Sequence, residues 1–197
     1  MDSDKSKKEN NKKVVIKLPI SIIRGGTSKG VYILKNDLPT NKEVWDPILL
    51  RLIGSPYQKQ IDGLGGSQSV TSKVAIISKS SRPEVDVDYI FAQVSIDKPI
   101  VSYKGNCRNI SSGVGPFMIE KGLVKAEKGI TSVKIFNTNT EKLLIEEVQT
   151  PEEKVESFGE FSIAGVPGTS APIKLKFMNP SGTLGNGLLQ TKNPKDF

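Results

Sequence analysis

Asn106-Cys107-Arg108-Asn109-Ile110-Ser111-Ser112-Gly113-Val114-Gly115-Pro116-Phe117-Met118-Ile119-Glu120-Lys121-Gly122 is the stretch on which the fold turns. Ile110, Val114, Phe117 and Met118 share one side at helical spacing, and Ser111, Ser112, Gly113 and Gly115 fill the others. No charge falls between Arg108 and Glu120. Side chains this small let strands approach from every direction, so the segment is predicted to be a buried central helix from Asn106 to Gly122, kinked at Pro116.

The surrounding sequence is predicted to supply the strands. Short apolar runs separated by Gly, Pro and Ser give candidates at Val14 to Leu18, Gly30 to Leu34, Val74 to Ile77, Val85 to Ile96, Ser132 to Asn137, Leu143 to Val148, Glu160 to Ile163 and Ile173 to Met178. Within one of them Val85, Val87, Tyr89 and Phe91 alternate with Asp86, Asp88 and Ile90, the signature of a half-buried strand. A covering helix is predicted over Val44 to Ile53, with Pro47 in its first turn and Gly54 as its stop. The class is α+β, with a single domain over residues 14–178. Residues 1–13 hold five Lys and three acids and bury nothing apolar, which predicts a disordered Lys-rich tail. Residues 179–197, rich in Gly, Asn, Pro, Thr and Lys, read as a linker with nothing after it.

Composition narrows the chemistry. The 197 residues contain no histidine, which removes Ser-His-Asp triads, Cys-His pairs and His-ligated metals. The single cysteine, Cys107, permits neither an internal disulfide nor a Cys-cluster zinc site and fits a cytoplasmic location. No apolar run reaches the ~18 residues of a bilayer helix. The net charge of +7 rests on lysine, with arginine only at 24, 51, 82 and 108, and aromatics make up 6% of residues. Base recognition favours arginine and single-strand binding favours stacked aromatics, so neither nucleic acid nor membrane is expected as a partner.

Three segments could carry chemistry. Arg24-Gly25-Gly26-Thr27-Ser28-Lys29-Gly30 departs from a P-loop because a strand, not a helix, follows it; it reads either as a tight turn or as one wall of an anion pocket. Asp62 to Lys73 joins three glycines to Ser67, Ser69, Thr71 and Ser72 and ends in a lysine at the mouth of an apolar strand. Such a loop offers donors to a carboxylate and an amine for proton transfer, or else is a solvated surface loop. Gly105 to Asn109 sets Cys107 at the start of the central helix, where free N–H groups favour a carboxylate and a thiolate; the alternative is a small buried hydrophobe.

Five stretches taken in order resemble the PrpF family: Arg24 to Val31, Leu49 to Pro56, Lys59 to Gly66, Thr71 to Val74, and Gly105-Asn106-Cys107. The resemblance covers roughly residues 14–197. It implies the diaminopimelate-epimerase-like fold, a mixed β-sheet barrel wrapped around a central helix. It also implies cofactor-independent, metal-free isomerisation of an unsaturated tricarboxylate such as 2-methylaconitate by a proton shift, with Lys73 and Cys107 as the catalytic pair. Ser67, Ser69, Thr71, Ser72, Asn106, Arg108 and Asn109 are the candidate contacts for a tri- or dicarboxylate. Arg108 stands where the family is expected to have a small residue, and its long cation could clamp a carboxylate or block the pocket. Family members run to about twice this length with the ligand between two domains, so a separately encoded second half or a homo-oligomer is a possible partner. The competing reading is a non-catalytic carboxylate-binding or accessory domain derived from that family.

Overall fold

The computed structural model describes residues 15–178. The predicted tail at 1–13 and linker at 179–197 lie outside the described residues. Among the described residues eight strands are formed: β1 (Ile20–Gly25), β2 (Ser28–Leu34), β3 (Lys73–Lys79), β4 (Val87–Val94), β5 (Val101–Ser102), β6 (Gly129–Asn137), β7 (Lys142–Thr150) and β8 (Lys174–Phe177). They belong to one mixed sheet of order β1-β2-β3-β4-β6-β7-β8, with β5 paired to β4. β2 with β3 and β4 with β6 are parallel, and the other pairs are antiparallel.

Strand parity decides which residues face the central helices. Tyr32, Ala75, Ile77, Val87, Tyr89, Phe91, Val133, Ile135, Leu144 and Val148 form one core with Ile110, Val114, Phe117 and Met118. The intervening residues Val31, Ile33, Val74, Ile76, Ala92 and Val94 form a second core on the opposite face. That outer layer is closed by α1 (Trp45–Ile53), whose Trp45, Leu49 and Ile53 are buried. The predicted stop at Gly54 is observed, with φ at 88° and its N–H on Leu50 O at 2.9 Å.

The central segment differs from the single kinked helix predicted. It forms two pieces, α2 (Arg108–Ser111) and α3 (Val114–Glu120), broken at Ser112-Gly113 and not at Pro116. The Ser111 and Ser112 hydroxyls bond back to Cys107 O and Asn109 O, competing with continued helix. Glu146 of β7 takes the Gly115 N–H at 2.7 Å and so caps the start of α3 from the sheet. Pro116 then falls in the first turn of α3, where its missing N–H costs no intrahelical bond. The small residues do permit close approach: a Cβ on Gly113 would lie 2.5 Å from the Tyr32 hydroxyl oxygen.

Two strand predictions also fail. Residues 15–19 are irregular and the first strand begins at Ile20, immediately after Pro19, which lacks a ladder donor. Glu160 to Ile163 gives only an isolated bridge, Phe161 to Ser170, because Gly165 and Gly168 at φ 82° and 80° turn the chain repeatedly.

Candidate active site

Lys73 opens β3 with the parity of Ala75 and Ile77, so its side chain lies on the face of the sheet that carries the central helices. Its strand pairs with Gly30 of β2 and Gln93 of β4. A Cβ on Gly30 would lie 2.8 Å from Ile110 Cδ1 and 3.2 Å from Lys73 O, so the bare glycine lets α2 settle close beside the start of β3. Cys107 is the residue preceding α2, in extended conformation with φ −108° and ψ 107°.

These two positions, 34 residues apart, bring Lys73 Nζ to 3.1 Å from Cys107 Sγ, with the amine donating. Both residues are half-buried, which keeps them in reach of a small ligand. Nζ also lies 5.8 Å from the centroid of the Phe91 ring. Because α2 has only four residues, it offers its first-turn amides and little macrodipole, unlike the long helix predicted.

The loop before Lys73 is held from beneath by a residue that the sequence reading did not single out. Gln60 is 1% exposed, and its Oε1 accepts from Ser67 N at 2.8 Å and from Ser72 Oγ at 3.0 Å. Its Nε2 donates to Ser55 Oγ. Gln93 Nε2 adds bonds to Ser69 O and Ser72 O. Burial of an amide bonded through both its oxygen and its nitrogen at the centre of a Gly-rich loop fixes the backbone that leads into β3. The only sequence signal was Gln60's presence in one of the stretches carrying the family resemblance.

The predicted carboxylate contacts separate into two groups. Ser72 is fully buried and its hydroxyl bonds to Gln60 and Gln68, so it faces the protein rather than a ligand. Thr71 Oγ1 is likewise turned to Gln68 O. Ser69 is exposed, and Ser67 borders a shallow hollow with Gln58, Lys59, Ile96 and Asp97. Asn106, Arg108 and Asn109 flank Cys107. Asn106 Oδ1 accepts from Ser111 Oγ, and Asn109 Nδ2 donates to Thr27 Oγ1 at 2.8 Å, tying α2 to the β1–β2 turn. Arg108 is exposed and its guanidinium carbon lies 5.2 Å from the Phe177 ring centroid.

The Arg24–Gly30 segment forms the tight turn of its first reading, and that turn also borders a hollow. It is a tight turn, with Gly25 paired to Ser28 around Gly26-Thr27, and Arg24 and Gly26 border a hollow that Arg108 and Asn109 also line.

Beneath the pair lies a buried polar cluster that parity could have revealed, since Glu146 stands between the inward-facing Leu144 and Val148. Burial pushes the Glu146 carboxyl up to about 8, against the opposing pull of the Gly115 N–H. Burial also raises the Tyr32 hydroxyl well above its usual range, followed by the charges of Glu146 and Cys107. Tyr32 donates to Ile110 O at 2.6 Å.

The family model for PrpF protein matches residues 15–197. The chain belongs to the PrpF family. It is 49% identical over 181 residues to the 3-methylitaconate isomerase of Eubacterium barkeri, covering 92% of this chain and 48% of that protein. To the 2-methyl-aconitate isomerase of Cupriavidus necator it is 45% identical over 194 residues, covering 92% of this chain and 49% of the relative. A crystal structure of methylitaconate-delta-isomerase superposes with a TM-score of 0.84 at 49% identity, over 89% of this chain and 46% of the other. The chain therefore has the diaminopimelate-epimerase-like fold, and this PrpF-family chain spans about half the length of the curated relatives it matches.

Proposed function

We propose that this chain carries the proton-transfer pair of a cofactor-independent isomerase, which shifts a proton along an unsaturated tricarboxylate such as 2-methylaconitate. The observation that carries the reading is the 3.1 Å contact between Lys73 Nζ and Cys107 Sγ. A proton shared by two such atoms leaves one of them free to take a proton and the other able to give one, which an allylic shift requires.

One member removes a proton from carbon next to the carbon–carbon double bond and its attached carboxylate. The electron pair delocalises over the allylic carbons onto the carboxylate oxygens. The resulting single-bond character permits rotation, and the other member returns a proton to an allylic carbon, so the atoms balance without a redox step. Donors near the developing oxyanion lower its energy, a role that suits the Asn106 side chain and the first-turn backbone N–H of Asn109. Ser67 and Ser69 remain candidates for a second carboxylate, whereas the internal bonding of Ser72 and Thr71 supports a role in shaping the loop. In this reading the remaining half of the relatives' length supplies the opposite wall of the cleft and excludes water.

Deuterium incorporation from D2O into trans-aconitate and 2-methylaconitate tests the reading, with the chain alone and complemented by the C-terminal half of the Eubacterium barkeri relative. Exchange and isomerisation are expected in the complemented protein, falling by about 10²-fold or more in Cys107→Ala and in Lys73→Ala. Binding without exchange in both forms would overturn the isomerase and leave a carboxylate-binding domain.

A further inference from the structure

The four arginines divide into two kinds. Arg51 is ion-paired with Asp62, and Arg82 donates from Nη1 to both carboxylate oxygens of Asp88 at 2.7 Å. Arg24 and Arg108 have no acidic partner among the described residues, and both border the same hollow, of about 240 Å³. Among the described residues no Asp or Glu lines that hollow. Arg24 spends two donors locally, on Gly26 O at 3.0 Å and Ser170 Oγ at 3.3 Å, and Arg108 only rests over Phe177. A guanidinium has five N–H donors, so most of the pair's capacity is unused.

The remaining walls include Phe161, Ile163, Val166 and Leu175. Two cations on one hollow attract an anion even though both are exposed, and Glu120 and Glu156 line only the neighbouring hollow that Arg24 also borders. Guanidinium forks match the planar geometry of a carboxylate, and the volume falls below the ~300–1,000 Å³ of drug-sized pockets, as a small acid would need. Arg108 and Asn109 follow Cys107 directly in the chain and both line the hollow, so one of its walls is built on the element that carries the thiol.

We propose that Arg24 and Arg108 together hold a carboxylate of the substrate that takes no part in the proton shift, and that this hollow selects tricarboxylates over dicarboxylates. This rests on the function proposed above and adds to it a further binding residue, Arg24, and a basis for specificity.

The test is calorimetric titration of the full chain, complemented as above, with trans-aconitate and with mesaconate, a dicarboxylate. Arg24→Gln and Arg108→Gln are each expected to weaken aconitate about tenfold or more while changing mesaconate less than about threefold. Arg24→Lys, which keeps the charge without the fork, should fall between, and Arg51→Gln should match the unaltered protein. Circular dichroism establishes that each variant is folded, and the Arg108 variant stands independently if loss of the Arg24 bridge to Ser170 disturbs the loop. Aconitate affinity within twofold of the unaltered protein in both Gln variants overturns the proposal, as does equal weakening of both acids or no binding of aconitate to the unaltered protein. Failure of the proton-shift reading is separate: aconitate would bind in an Arg24- and Arg108-dependent way, with no deuterium exchange even before Lys73 or Cys107 is changed.

Discussion

Replacing Glu146 by Gln should change how stability depends on pH more than it changes stability at any one acid pH. The carboxyl is fully buried, accepts the Gly115 N–H through Oε2, and has no hydrogen-bond partner for Oε1 among the described residues. Its affinity for a proton is raised from the ordinary 4.5 to about 8, chiefly by burial. Between those values the native state keeps a proton that the unfolded state gives up, so stability is full below pH 4.5, falls as pH rises, and levels off above about 8. The interval is about 3.5 pH units, which at about 1.36 kcal/mol per unit comes to roughly 5 kcal/mol. Gln keeps an oxygen for Gly115 and does not titrate, and the distant groups that do titrate cancel in the difference between the two proteins. Urea unfolding followed by the fluorescence of Trp45, the single and buried tryptophan, measures that difference. From pH 5.5 to 7.5 the native protein should lose about 2–3 kcal/mol relative to Glu146→Gln. A difference constant to within about 0.5 kcal/mol over that range would refute the raised proton affinity.

Gly113→Ala should destabilise by about 1–3 kcal/mol in thermal melting, because the new methyl meets the Tyr32 hydroxyl that anchors Ile110; an unchanged melting temperature would refute the close approach. Gln60→Ala removes the acceptor of Ser67 N and Ser72 Oγ and should cost about 1–3 kcal/mol. Amide exchange should accelerate across residues 63–72 ahead of the rest of the chain, and uniform acceleration would count against a local role. Leu49→Ala, at a fully buried position between α1 and the outer face of the sheet, should cost about 2–5 kcal/mol in urea unfolding.

Much of this architecture is local in origin. Alternation around Tyr89 and Phe91 announces a half-buried strand, and helical spacing from Val44 to Ile53 with Gly54 behind it announces a covering helix and its end. Two glycines and two serines among apolar residues announce a central segment that strands can approach closely. Such features depend on side-chain period and backbone freedom, which are properties of neighbours in the chain. The break at Ser112-Gly113 was not legible, because the acceptor for the Gly115 N–H comes from Glu146, 31 residues away across the sheet. The internal role of Ser72 was hidden for the same reason, since a hydroxyl in a Gly-rich loop looks free until Gln60 is folded beneath it.

Lys73 and Cys107 were identifiable as individual groups: an amine at the mouth of an apolar strand, and a lone thiol ahead of a small-residue helix. Their meeting at 3.1 Å was decided by the parallel pairing of β2 with β3 and by the bare Gly30 that lets Ile110 sit against it. Which elements form and which chemical groups they carry followed from local propensity and periodicity, which act over a few residues. That Arg24 and Arg108 share one hollow, with no acid lining it among the described residues, follows from long-range strand pairing and packing, because the two stand 84 residues apart in the chain.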